Sequence, residues 1–310
     1  MLTPAALLRR LDDLQRRHAV LGFPHAVVRK YLDDGGAREA ALITYYGFLS
    51  LFPLLLLGVA ALTQVLANRP ELLAELIEAI VPPTLADDIQ RELPSSYVAL
   101  AVGLGTLLFT GAGVVFSAYR TLNHLAAVPF RERHGMLAWL LRVFAALLVV
   151  LIGTAAAAAT ATVVLAGSAL VAGLTLTAVA KLLLARPAPL RALWPAALPG
   201  GVAIALVLSL SASVLPGMAR RAGPVYGAFA TVAAAFTLLY LLSNILVYAA
   251  EAAAVRHARL WPRALDPERP TEADARAFAL LAREQERGPY DQVVTHRRAP
   301  TPEPAPPPTR

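Results

Sequence analysis

Residues 40–65 read AALITYYGFLSLFPLLLLGVAALTQV, 26 positions without Asp, Glu, Lys or Arg. A helix needs about 20 predominantly apolar residues to cross a hydrocarbon core about 30 Å thick. In lipid the backbone must satisfy its own hydrogen bonds, which a helix does. The stretch therefore predicts a membrane-spanning helix. Pro53 inside it lacks an N–H and clashes with the carbonyl of Leu49, so a kink is expected there, with Thr44, Tyr45, Tyr46 and Ser50 clustered before it.

Four more runs free of those charges follow, at 97–119, 143–180, 192–219 and 222–250. The third would make a helix of about 57 Å, far more than one crossing needs. Extending it to 136–185 adds only Arg142 and Lys181, near its ends, where cationic side chains reach the headgroups. A hairpin turning near Gly167-Ser168 fits that length; one long tilted helix is the alternative. The fold expected is all-α, a polytopic integral membrane protein with six transmembrane helices over about 40–65, 97–119, 138–165, 169–185, 193–215 and 225–250. The whole chain agrees: of 310 residues 57% are hydrophobic and 16% charged, with mean hydropathy +0.57, where soluble domains carry about 25% charged residues. Cysteine is absent, which excludes a disulfide scaffold, a thiol nucleophile and Cys-ligated metal.

The net charge of +7 has a location. Of the 28 Lys and Arg residues, 24 fall in 1–39, 120–142, 181–191 and from 251 onward, and four in 66–96 and 216–224. The positive-inside bias puts the 24 in the cytoplasm, with both termini. The basicity then reflects anionic inner-leaflet lipid as partner, and no nucleic acid.

Three soluble pieces flank or interrupt this 39–250 membrane domain. In the N-terminal segment 1–38, Leu7, Leu8, Leu11 and Leu14 oppose Arg9, Arg10, Arg16 and Arg17 at helical spacing. Two readings stay open, an amphipathic helix on the inner leaflet or one packed on the cytoplasmic end of the bundle. The outer loop 68–96 carries an apolar stripe that either caps a cavity or covers helix ends. The basic tail 251–310 holds an expected helix over 271–287, capped by Thr271, and is Pro-rich and largely disordered after 288.

Polar groups inside a membrane are expensive and are the first place to look for function. Tyr45, Ser50, Pro53, Thr110, Tyr240 and Asn244 are candidates for a substrate path. The alternative is that hydroxyls satisfy the kink and the tyrosines belong to the interfacial belt. Arg120, Asn123 and Arg131, in a basic loop interleaved with aromatics, are candidates for headgroup contact. Glu39 and Glu251 close the cytoplasmic ends of the first and sixth spans, with Arg38, Arg256 or a neighbouring loop as expected partners. Ala197, Gly201 and Ala205, and Gly227, Thr231 and Ala235, have the small-xxx-small spacing of close helix packing. No charge-free run holds an ionisable group besides tyrosine, which weighs against a proton relay. Histidines are scattered, and no Walker, Rossmann, G-x-S-x-G or H-E-x-x-H motif occurs. No catalytic residue, metal ligand or cofactor is expected.

Residues 40–57, AALITYYGFLSLFPLLLL, resemble the first-span signature of the YihY/BrkB family of bacterial inner-membrane proteins. Residues 110–131, with Arg120, Asn123 and Pro129, are similar to that family, as is 225–251 from VYGAF through Tyr240 to Ala250-Glu251. The resemblance covers roughly 30–260. It implies six spans, cytoplasmic termini and a place in the inner membrane. Members were once labelled ribonuclease BN, a label regarded as mistaken, and some are called virulence factors. Leu238-Leu239 stands where a tryptophan is expected, and Ala249-Ala250-Glu251-Ala252-Ala253 replaces Gly-Ala-Glu-Leu-Asn. Of that string only Glu251 carries over. The function expected is transport or handling of a lipid-like amphiphile of the envelope. The alternative is a non-transporting scaffold or assembly factor, with a second copy or envelope proteins as partners.

Overall fold

The computed structural model describes residues 4–65, 97–133, scattered positions between 138 and 156, 165–186, 188–288, and 290, 291 and 293. The expected outer loop 68–96 and nearly all of the expected disorder after 288 lie outside the described residues. Those described are helical, with no strand among them. In chain order the helices are α1 (Pro4–Arg17), α2 (Ala19–Asp33), α3 (Gly36–Val65), α4 (Tyr97–Leu125), α5 (Leu165–Leu183), α6 (Leu190–Ala258) and α7 (Glu272–Glu284), with a 3₁₀ turn at Phe130–Glu132.

α6 has 69 residues and would be about 100 Å long if straight. It is not straight. A Cβ on Gly200 would lie 3.2 Å from the Ala249 Cβ, so the arms Leu190–Val214 and Phe229–Ala258 run antiparallel. The reversal falls where the 216–224 loop was expected, but those residues are themselves helical. Proline is tolerated in a helix's first turn, so two helices can abut without intervening coil.

Within 138–185 the described residues lie in two stretches that face each other. The Arg142 guanidinium donates to the carbonyls of Leu182 and Leu184, each at 3.3 Å, and a Cβ on Gly153 would meet Thr175. The two stretches are thus antiparallel. Gly167 and Ser168, however, lie inside α5, so the chain does not turn there. In this chain the small residues serve contact: a Cβ on Gly173 would lie 3.2 Å from the Ala197 carbonyl oxygen, where α5 crosses α6.

The remaining pairings fix the bundle. α3 runs antiparallel to α4, with Tyr46 against Gly113 and the Thr121 hydroxyl donating to Glu39 at 2.7 Å. It also runs antiparallel to the second arm of α6, with Thr44 donating to Ser243 at 3.0 Å and the Phe48 and Phe236 rings 5.7 Å apart. One end of the bundle therefore collects the start of α3, the ends of α4 and α5, and both ends of α6. These are the segments holding the 24 clustered cations. Leu165–Leu183, Leu190–Val214 and Phe229–Ala258 are, among the described residues, helices long and apolar enough to cross a membrane. Phe109, Leu174 and Phe229 face outward.

α1 and α2 lie at the collected end. Gly35, at φ 69°, turns α2 into α3, and Gly36 has no Cβ because Tyr31's ring would be 2.3 Å from it. α1 docks through its polar face: Gln15 donates to the Arg263 carbonyl at 2.6 Å, and Asp12 accepts from the Leu265 N–H at 2.9 Å. Its stripe Leu7, Leu8, Leu11 and Leu14 is exposed. α7 begins in a capping box between Thr271 and Asp274, as the expected cap at Thr271 requires.

Candidate functional site: a cation-rimmed apolar cavity

Two helices end side by side at this pole in the same six-residue motif. Val128 N–H bonds the Asn123 carbonyl and Ala127 N–H that of His124, with Ala127 at φ 49°. Leu260 and Arg259 repeat this on Val255 and Arg256, with Arg259 at φ 52°. Both are Schellman closures, which satisfy final carbonyls and turn the chain sharply off the axis. The chain is thereby diverted around a space instead of through it.

That space is a cavity of about 340 Å³. Its walls come from the end of α4 and its closure (Leu122, Leu125, Ala126, Ala127, Val128), the end of α5 (Ala180, Leu184) and both arms of α6 (Ala192, Leu193, Ala250, Ala253, Ala254, Ala258). Ala188, Leu260 and Leu280 complete the apolar lining. The remaining lining residues are Lys30, Arg186, His257 and Arg283. No carboxylate lines it among the described residues. Arg186, His257 and Arg283 are exposed, whereas Lys30 is buried. The chamber is thus apolar, with Arg186, His257 and Arg283 at its edge and Lys30 at its floor, and Arg186 pairs with Glu132.

Lys30 is held from three directions. Its ammonium donates to Asp34, one turn on, and to the Leu125 carbonyl at 2.8 Å, and it pairs with Glu251 at 2.9 Å. Burial alone would push its pKa down; Glu251 and Asp34 outweigh this and hold it above the usual lysine value. Glu251 is fully buried, and neither of its carboxylate oxygens accepts a hydrogen bond among the described residues. The expected partner Arg256 is replaced by Lys30, because α2 lies along this face of α6. Glu39 keeps its expected neighbour Arg38, at 3.3 Å, and adds Thr121.

Next to this triad, His124 Nδ1 lies 2.8 Å from the Glu284 carboxylate and Nε2 3.2 Å from the Asp34 carbonyl. Both ring nitrogens face acceptors. The bond to Glu284, opposed by burial, raises the His124 pKa above 6.5. Arg133 also pairs with Glu284, at 2.7 Å. α7, whose Leu280 and Arg283 line the cavity, is strapped to the end of α4 by these contacts.

The residues singled out in the sequence do not line this cavity. Asn123 is buried between Leu122 and the closure, donating to Tyr119 and Leu183 carbonyls and accepting from the Ala185 N–H, each at 2.8 Å. It pins α5 to α4 and has no amide hydrogen left for a headgroup. Arg131 pairs with Glu286 at 3.0 Å, and Arg120 lies exposed over the Phe116 ring. Asn244 accepts from the Tyr31 hydroxyl at 2.6 Å and donates to the Tyr240 carbonyl at 2.8 Å, a cross-link between α2 and α6. Ser50 and Thr110 bond carbonyls of their own helices, those of Gly47 and Thr106. Tyr45 is exposed against Tyr46, and Pro53 is buried within the continuous α3. Ala197, Gly201 and Ala205 lie at the crossing of α5 with α6, where a Cβ on Gly201 would be 2.4 Å from the Ala169 carbonyl oxygen. Thr231 and Ala235 are half-buried, and Gly227 lies where side chains are outside the description. The sequence signals missed were Lys30, Arg186, His257 and Arg283. Of these only Lys30 had one, its four-residue spacing to Asp34.

A family model described as Virulence factor BrkB matches residues 27–274. The match takes in Lys30, Glu251 and most of the cavity wall, and stops inside α7 before Leu280. No curated protein and no solved structure gives a significant match.

Proposed function

This chain is a bacterial membrane protein of the virulence factor BrkB family, and from that premise we propose that it handles or transports an anionic, lipid-like amphiphile of the envelope. It does so as a six-span protein of the cytoplasmic (inner) membrane with both termini inside. The observation that carries the reading is the cavity: Ala, Val and Leu walls with Lys30, Arg186 and Arg283 in the lining, Lys30 and Arg186 being ion-paired with acids outside it. An acyl chain gains about 0.8 kcal/mol per methylene removed from water, and the cations select the headgroup's sign. The cavity sits at the pole where the charge bias places the cytoplasm, level with anionic inner-leaflet lipid. The leucine face of α1, left uncovered by its polar docking, rests on that leaflet.

The reading is tested by reconstituting the full chain in vesicles with a fluorescent phosphatidylglycerol and following its redistribution between leaflets. Faster redistribution than in empty vesicles, and than for the phosphatidylcholine analogue, is expected. Rates equal to those of empty vesicles would leave the second reading, a non-transporting scaffold. That reading draws on the strapping of α1 and α7 to the bundle, which makes one rigid surface for a second copy or an envelope protein.

A further inference from the structure

Building on the cavity as an anion site, we propose that it is proton-linked: an anionic group reaching Lys30 displaces Glu251, and Glu251 takes up one proton as the anion binds.

The geometry leaves little alternative at the cavity floor. An ammonium has three N–H groups; Lys30 donates to Asp34 and to the Leu125 carbonyl, and on its remaining side it meets Glu251 as an ion pair without a hydrogen bond. A ligand that contacts Lys30 must replace one of them. The Leu125 carbonyl belongs to the last turn of α4 and cannot withdraw without unwinding it. Asp34 shares a helix turn with Lys30, and its own carbonyl holds His124. Glu251 is the least anchored, with neither carboxylate oxygen accepting a hydrogen bond among the described residues.

Charge then requires the proton. With all three groups ionised the triad carries one net negative charge in a buried place. Adding an anion would bring that to two, and Coulomb repulsion in a poorly solvated site is costly. A proton from water on Glu251 Oε1 restores the original balance. The ammonium stays protonated and no bond in the ligand changes.

The other charged groups near Glu251 do not do this work. Lys30 and Asp34 face it from α2. His124 faces it from α4, paired with Glu284 of α7, which raises its pKa. Farther along the lining, Arg283 and His257 stand at the rim, where solvent screens them. The consequence is that anion and proton bind together at this site.

The test uses the full chain in phosphatidylcholine nanodiscs, titrated with decyl sulfonate, whose headgroup keeps one charge across the working pH range. Calorimetry in two buffers of different ionisation enthalpy counts the protons. One proton taken up per sulfonate is expected, with Kd rising close to tenfold per pH unit on the alkaline side. Glu251→Gln, which mimics the protonated acid, should bind with no proton uptake and no pH dependence, and Lys30→Met should lose binding. Sulfonate binding without proton uptake in the unaltered chain, or uptake that persists in Glu251→Gln, overturns the linkage and leaves the cavity reading standing. No binding beyond empty nanodiscs overturns both. If Lys30→Met does not fold, Glu251→Gln decides alone.

Discussion

The Lys30 ammonium lies 2.9 Å from the Glu251 carboxylate, joining α2 to the second arm of α6. Both side chains are almost wholly buried, and Asp34 makes the cluster two acids to one base. The two partners are therefore not equivalent. Lys30→Met strands two buried carboxylates and should cost about 3–5 kcal/mol. Glu251→Gln leaves the Lys30–Asp34 pair intact and should cost at most about 1 kcal/mol. Thermal unfolding in detergent, with both variants side by side, checks the order; equal losses would count against the charge assignment.

His124 gives α7 a pH-dependent strap. Its folded pKa is raised above the unfolded value of about 6.5. A raised base contributes its full stabilisation below the unfolded value and loses it as pH rises through the folded one. Hydrogen exchange over 272–284, corrected for intrinsic rate, should thus quicken above neutrality. The effect should be partial, because Arg133 continues to hold Glu284, and should vanish in His124→Gln.

The α5–α6 crossing should tolerate no side chain at Gly201. A Cβ there would lie 2.4 Å from the Ala169 carbonyl oxygen and 2.6 Å from the Gly173 nitrogen, both backbone atoms that cannot rotate away. Gly201→Ala should cost about 1–3 kcal/mol through forced separation of the helices. Thermal unfolding measures it, with Gly105→Ala as the control, since nothing lies within 4 Å of a Cβ there.

Arg259 closes α6 at φ 52° with an exposed side chain. A Cβ in the left-handed region costs about 1–2 kcal/mol, part of which glycine forfeits through its freer unfolded chain. Arg259→Gly should therefore stabilise the protein by about 1 kcal/mol at most, read as a higher unfolding temperature.

The bundle was legible because charge is excluded from lipid, and a charge-free run of span length has few other uses. Gly167-Ser168 misled because glycine punctuates soluble helices, whereas here α5 runs through that pair and its glycine Gly173 meets α6 closely. The face of α1 was equally opaque. A leucine stripe argues for burial, yet Asp12 and Gln15 find specific backbone partners in the 263–265 segment and take the inner side. The cavity could not be read at all. Lys30, Arg186, His257 and Arg283 lie on four separate segments, and only the antiparallel arms of α6 and the two Schellman closures bring them to one cavity. Glu251 was singled out, but its partner was sought nearby because no local pattern points to α2.

The central claim is that an anionic amphiphile occupies this cavity. The most direct measurement is photo-cross-linking of the full chain in vesicles, with phosphatidylglycerol or phosphatidylcholine carrying a diazirine in the acyl chain, mapped by peptide mass spectrometry. The anionic lipid should preferentially label residues 184–193, 250–258 and 280–283, and Ala253→Trp, which fills the chamber, should abolish that preference. Equal labelling by both lipids, or labelling confined to outward positions such as Phe109, Leu174 and Phe229, would contradict it.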